Sequence, residues 1–310
     1  MRPDVPVRRT GLWLVLCLGL GWALAGCSPA AAARPTVVVT TNILGDITRN
    51  VVGDQADVVV LMGANADPHS FGISAKQAAV IGNADLVIHN GGGLEENVLN
   101  HVEAAAAEGV PALKVLDAVE PLAFGAGGPA GGAQDPHFWT DPSRVAKAAG
   151  AIARSVAEHV DGVDAGALRS QEAAYVQQLG ELESWMTTRF SSIPDGQRKL
   201  LTNHHVFGYL AQRFGFEVIG AVVPSGTTLA SPSSADLNDL TTAIRAAGVA
   251  AIFADSSQPE RLAQVLAAEA GQDIAVVPLF TESLGTDGSG AATYLDMMRT
   301  NTERIATALS

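Results

Sequence analysis

Short apolar runs alternate with segments of helical spacing along most of this chain. Residues 36–40, 58–62, 86–89 and 112–116 are rich in valine, isoleucine and leucine and read as strands. Residues 44–52, 74–82 and 95–107 lie between them and repeat their apolar positions at helical intervals. Strand–helix alternation predicts a parallel sheet with right-handed crossovers. After a glycine-rich stretch at 125–133, a helix is expected over 142–159, with Asp141 as N-cap and Pro142 in its first turn. The longest periodic segment follows. Leu168, Tyr175, Leu179, Leu182 and Met186 form one apolar stripe on a helix of about 25 residues, interrupted by Glu172 and ended by Pro194. The alternation then restarts, with strands at 199–203, 217–222, 250–254 and 274–278 and helices at 206–214, 235–247, 259–270 and 291–309.

The pattern predicts an α/β protein of two similar lobes, each a mainly parallel four-stranded sheet flanked by helices, joined by one long rigid helix. The expected divisions are an N-terminal lobe at 36–163, a linker helix at 164–193 and a C-terminal lobe at 194–310. A helix in that position reads as a spacer rather than a core element. It should limit hinge closure and leave ligand release to local loop movement, at 125–133 or near Glu282.

The first 35 residues do not belong to this pattern. Arg2, Arg8 and Arg9 precede an apolar run at 11–25, and Leu24-Ala25-Gly26-Cys27 follows. The apolar run is short for a membrane-spanning helix, which needs about 20 residues. A basic start, a short apolar stretch and small residues before a cysteine read as a lipoprotein signal at 1–26. Cys27 would then carry the lipid, and 27–35 would be a tether. The other cysteine, Cys17, lies inside the signal, so the mature chain has no thiolate ligand and no disulfide.

The 310 residues carry a formal charge of −13, which becomes −15 without residues 1–26. There is no basic footprint for nucleic acid.

Chemistry enters with the histidines. The motif Asp-Pro-His occurs twice, at 67–69 and 135–137. Proline restricts the aspartate before it and fixes its own φ, so each imidazole is presented from a stiffened loop. His69, His137, His204 and Glu282 all fall just beyond the carboxyl ends of expected strands, two per lobe. Open parallel sheets bind ligands along that edge. Facing lobes would bring three imidazoles and a carboxylate together, a donor set that suits Zn2+. Four protein ligands leave no open position for a catalytic water, which favours carriage of the ion over hydrolysis.

The motifs Thr40-Thr41-Asn42, Asp67-Pro68-His69-Ser70-Phe71, Asp135-Pro136-His137-Phe138-Trp139-Thr140-Asp141-Pro142, Asn203-His204-His205-Val206-Phe207-Gly208-Tyr209 and Phe280-Thr281-Glu282-Ser283-Leu284 occur in this order. Over essentially the whole mature chain this resembles the metal-binding solute-receptor lipoproteins of bacterial ABC importers, of zinc and manganese type. The resemblance implies that both motif histidines are ligands. It implies that position 204 is a ligand too, histidine in zinc-type members and glutamate in manganese-type ones. The fourth ligand would be the carboxylate at 282. The chain departs from the family there, with glutamate where aspartate is usual, and its glycine-rich 125–133 holds none of the histidines that many zinc-type members carry before the second motif.

The expectation is therefore an extracytoplasmic, membrane-anchored monomeric receptor that binds Zn2+ and is not an enzyme. It would pass the ion to a membrane permease driven by an ATPase, without nucleic acid. Mn2+ or Fe2+ is the alternative cargo, and a zinc hydrolase or an adhesin with incidental metal the alternatives of another class. Asp255, which also follows a strand, is a candidate supporting group or substitute ligand, and His205 a neighbour that could replace His204. Gly91-Gly92-Gly93 lacks the Lys-Ser/Thr of a nucleotide loop and reads as a plain turn. Glu95 reads as a cap or brace for the helix it begins, Trp139 and Trp185 as packing, and His101 and His159 as exposed.

Overall fold

The computed structural model describes residue 1 and residues 34–124, 132–271 and 274–310. The signal segment, Cys27, nearly all of the tether and residues 125–131 of the glycine-rich stretch lie outside the described residues. Pro35–Ser310 forms one compact unit, and the fold is that of this unit.

Its first half runs β1 (Thr36–Val39), α1 (Asn42–Val52), β2 (Asp57–Val60), α2 (Ala75–Gly82), β3 (Leu86–His89), α3 (Glu96–Ala107), β4 (Ala112–Lys114) and α4 (Pro142–His159). All pairings are parallel, in the order β2-β1-β3-β4. Two short 3-10 turns, Val115–Ala118 and Phe138–Thr140, replace the end of the expected strand at 112–116 and lead into α4. α5 (Ala165–Ser191) follows. Then come β5 (Lys199–Thr202), α6 (Gly208–Phe214), β6 (Glu217–Ala221), α7 (Ser234–Ala247), β7 (Ala251–Asp255), α8 (Arg261–Ala270), β8 (Ala275–Leu279) and α9 (Tyr294–Ala308). This second sheet is also parallel and repeats the order as β6-β5-β7-β8. The expected helix at 206–214 begins two residues later, because residues 203–207 turn away from β5 before α6 starts.

Local chemistry sets the helix starts. Thr41, Ser74, Asp141, Asp164, Ser233 and Thr293 each accept a hydrogen bond from a first-turn N–H. Pro142 occupies the first turn of α4, as its preset φ favours.

The central strands of both sheets, β1, β3, β5 and β7, are buried on both faces, with the side chains alternating. In the first, Val37, Val39, Leu86 and Ile88 point to a large central core, and Val38 and Val87 to a smaller cluster under α2 and α3. In the second, Leu200, Ala251 and Phe253 face the same central core, and Leu201, Ile252 and Ala254 a cluster under α7 and α8. The central core is thus continuous from one lobe to the other.

α5 joins the lobes as a core element rather than the expected spacer. Leu168, Tyr175, Leu179, Leu182, Met186 and Phe190 are buried in the central core, where α5 packs on α4, α1 and α9. Twenty-seven residues span about 40 Å, so one apolar stripe serves both lobes. α9 returns across the junction, and the N–H of Tyr294 donates to Asp46 of α1 at 2.9 Å. Among the described residues no helix is long and apolar enough to cross a membrane.

Candidate metal centre

Parallel strands direct all their following loops to one edge, and the two sheets present those edges to each other. His69 sits in the β2–α2 loop, His137 in the β4–α4 connection, His204 two residues past β5 and Glu282 three residues past β8. One donor atom from each of the four lies within 4.8 Å of the others. The three imidazole centroids are 5.3–5.7 Å apart. Nε2 of His204, His137 and His69 lies 3.0, 3.5 and 3.7 Å from a Glu282 carboxylate oxygen. A tetrahedron with ~2.1 Å bonds has edges of about 3.4 Å, so these separations suit one small cation. All four side chains are buried, and none of the three Nε2 atoms nor either Glu282 oxygen makes a hydrogen bond. Buried polar atoms without partners are costly and rare, and five aimed at one point fit a cation-binding site.

Electrostatics agree. Burial first, then the neighbouring imidazoles of His137 and His204, hold His69 well below the usual histidine range. Burial likewise lowers His204 and raises Glu282 well above the ordinary carboxylate value, against the opposing pull of His137. The protein interior resists charge at these positions, which favours neutral imidazoles able to donate to a cation and requires Glu282 to lose a proton when one binds.

The surroundings hold the donors in place. Asp135 Oδ1 accepts from the N–H of His137 and lies 2.7 Å from its Nδ1, which leaves Nε2 free to face the centre. The Tyr209 hydroxyl donates to the Asp135 carbonyl at 2.7 Å and accepts from the Leu122 N–H. Trp139 packs edge-on to His137, and its Nε1 also donates to the Thr281 carbonyl at 2.8 Å, which ties the Glu282 segment to the first lobe. Asp255 is not one of the four. Its carboxylate accepts from the N–H and hydroxyl of Ser257 and from the Thr281 hydroxyl, so it braces the residue before Glu282. His205 is half-buried outside the group, its N–H on the Ser225 carbonyl.

Other supports are absent from the sequence reading. Asn42 donates to the Gly63 carbonyl and the Ser283 hydroxyl and accepts from the Leu284 N–H, so it clasps both sides of the centre. The Thr40-Thr41-Asn42 motif was its visible signal, but no role could be read from it. The triple glycine is more than a plain turn. Gly91, Gly92 and Gly93 all have left-handed φ, and a Cβ on Gly92 would meet Leu116 and Pro136. The close approach lets Asn90 donate to the Pro136 carbonyl at 3.0 Å, one residue before His137. Glu95 does not cap α3. Its buried carboxylate accepts from the Thr40 hydroxyl and the N–H groups of Asn90 and Gly91, bracing this turn.

A family model described as zinc-uptake complex component A, periplasmic (ZnuA), matches residues 37–308. The chain is 29% identical over 312 residues to the zinc-binding protein TroA of Treponema pallidum, covering 96% of each. It is 27% identical to the manganese-binding lipoprotein MntA of Halalkalibacterium halodurans, covering 88% of each. It is also 27% identical to the iron-binding protein YfeA of Yersinia pestis, over 92% of this chain and 89% of that one. The solved structure of periplasmic TroA matches with a TM-score of 0.82 at 27% identity, over 90% of this chain and 100% of that one. The chain therefore belongs to the ZnuA family of metal-binding solute receptors of bacterial ABC importers, non-catalytic lipoproteins of the extracytoplasmic side of the membrane.

Proposed function

We propose that this receptor carries Zn2+, held by His69, His137, His204 and Glu282, and delivers it to the permease and ATPase of its importer. The observation that carries the reading is the cluster of four buried donors within 4.8 Å, whose inward atoms have no hydrogen-bond partner. Three imidazoles and one carboxylate match the nitrogen-rich tetrahedral preference of zinc, whereas Mn2+ favours more oxygen. A manganese or iron cargo is the second reading, because relatives of similar identity are named for those metals. Metal analysis of protein purified without chelator, followed by competition titration of Zn2+ against Mn2+ and Fe2+, decides between them. Tighter Mn2+ than Zn2+ binding would overturn the zinc assignment. Replacing His137 by Ala should abolish stoichiometric binding and metal-dependent growth rescue.

Cys27, in Leu24-Ala25-Gly26-Cys27, is our candidate for the acylated residue that anchors the chain. Cys27→Ala should move the receptor from the membrane to the soluble fraction on fractionation. An acyl chain found on another residue by mass spectrometry would refute this assignment.

A further inference from the structure

The two Asp-Pro-His motifs look alike in sequence and are wired differently. In each, the aspartate Oδ1 accepts from the N–H of its own histidine at 3.0 Å. Asp135 also reaches the ring of His137, at 2.7 Å from Nδ1. Asp67 does not do the same for His69, whose Nδ1 is buried without a hydrogen bond. The second oxygen of Asp67 is taken up from the opposite lobe. The Thr228 hydroxyl donates to Oδ2 at 2.6 Å and the Gln258 side-chain amide at 2.9 Å. Thr228 lies in the β6–α7 connection and Gln258 between β7 and α8.

The same two side chains line a cavity of about 140 Å3 that reaches His204 and Asp255. Asp67 is thus a junction. One oxygen holds the loop that carries His69, and the other is tied across the cleft by two residues that also line this cavity. Both cross-lobe bonds go to a carboxylate and are of the stronger, charge-assisted kind. The Glu282 side of the centre is secured far more heavily. Asn42 and Trp139 hold it to the first lobe, and Asn301 exchanges two hydrogen bonds with the backbone of Phe280. The His69 loop shares that anchorage at its base, where the Gly63 carbonyl accepts from Asn42 and the Asn65 N–H donates to the Leu284 carbonyl.

We propose that Thr228 and Gln258 are positioning residues that act through Asp67. They hold the tip of the His69 loop against the far lobe and set the rate at which a bound ion leaves, without touching the ion. The inference rests on the metal reading above, and it assigns release to this side of the centre rather than to the Glu282 segment.

The test is Zn2+ release from the loaded full-length protein into excess chelator, followed by stopped flow. Thr228→Val, and more so Thr228→Val combined with Gln258→Ala, should release the ion at least ~10-fold faster, with association changed by less than about 3-fold, since such effects fall mainly on dissociation. Stoichiometry should stay at one ion per chain, and Thr228→Ser should restore the wild-type rate. The metal-free double variant should melt with the metal-free wild type. Wild-type release from the double variant overturns the proposal, as does faster release accompanied by a matching loss of metal-free stability. If the wild-type protein itself retains no ion, the metal reading fails and the latch falls with it. If it retains one and the variants release it at the wild-type rate, only the latch falls.

Discussion

His69, His204 and Glu282 share an environment that penalises charge, and this has a measurable consequence. Burial depresses the two imidazoles and raises the carboxyl group. Burial favours the protonated form of Glu282, which must lose its proton to bind a cation. An entering dication displaces that proton. Affinity should therefore rise with pH over the range in which Glu282 holds its proton, and binding in that range should release up to one proton per ion. Calorimetry in two buffers of different ionisation enthalpy measures the number, and zero would mean that Glu282 is already ionised.

A second residue-scale expectation concerns Asp135, which orients His137 through Nδ1. Asp135→Asn should weaken metal binding ~10–100-fold, as loss of such a partner typically does, with the circular dichroism spectrum unchanged. The four candidate donors were legible in the sequence because prolines stiffen two of them and all follow expected strands. Thr228, Gln258 and Asn42 were not. Their partners Asp67 and Ser283 lie 161, 191 and 241 residues away, and no local pattern encodes such pairings.

At the scale of elements, α5 is the least interchangeable part. Its stripe is buried at Leu182 and Met186, deep in the central core. Leu182→Ala should cost about 2–5 kcal/mol in urea unfolding of the metal-free protein, the usual range for a buried leucine. The variant should still bind one ion while folded, because Leu182 lies on α5, which supplies none of the four candidate donors. At the start of the same helix, Asp164 accepts from the N–H groups of Gly166 and Ala167. Asp164→Ala should cost about 1 kcal/mol in the same assay. The apolar stripe and the helix were readable from the spacing of Leu168, Tyr175, Leu179 and Leu182. The role of core spine was not, because a stripe reports that a face is buried but not which elements bury it. The strand ends show the same limit. Residues 112–116 look uniformly extended in sequence, yet Val115 and Leu116 turn into a 3-10 helix to fill the central core.

For the whole molecule, the continuous core argues against a wide opening of the lobes. Rigid-body separation would pull Tyr175, Leu179 and Leu182 away from α1, α4 or α9 and expose apolar area at roughly 25 cal/mol per Å2. Small-angle scattering of metal-free and metal-loaded protein should therefore give nearly superimposable curves. A clear expansion on metal removal would show a hinge that this packing does not support. Motion is left to loops at the cleft, among them the one that carries His69.

The sequence by itself determined the two α/β lobes, the parallel sheets, the long helix and the strand-end positions of the four candidate ligands. All of these follow from short-range rules: side-chain periodicity, proline and capping chemistry, and the fact that parallel strands send their loops to one edge. Only the tertiary structure decided that the lobes share one core, that Glu95 and the triple glycine brace the His137 motif, and that Asp67 and Asp135 have different partners. Those outcomes depend on contacts between distant segments, whose pairing is set by the packing of both lobes at once.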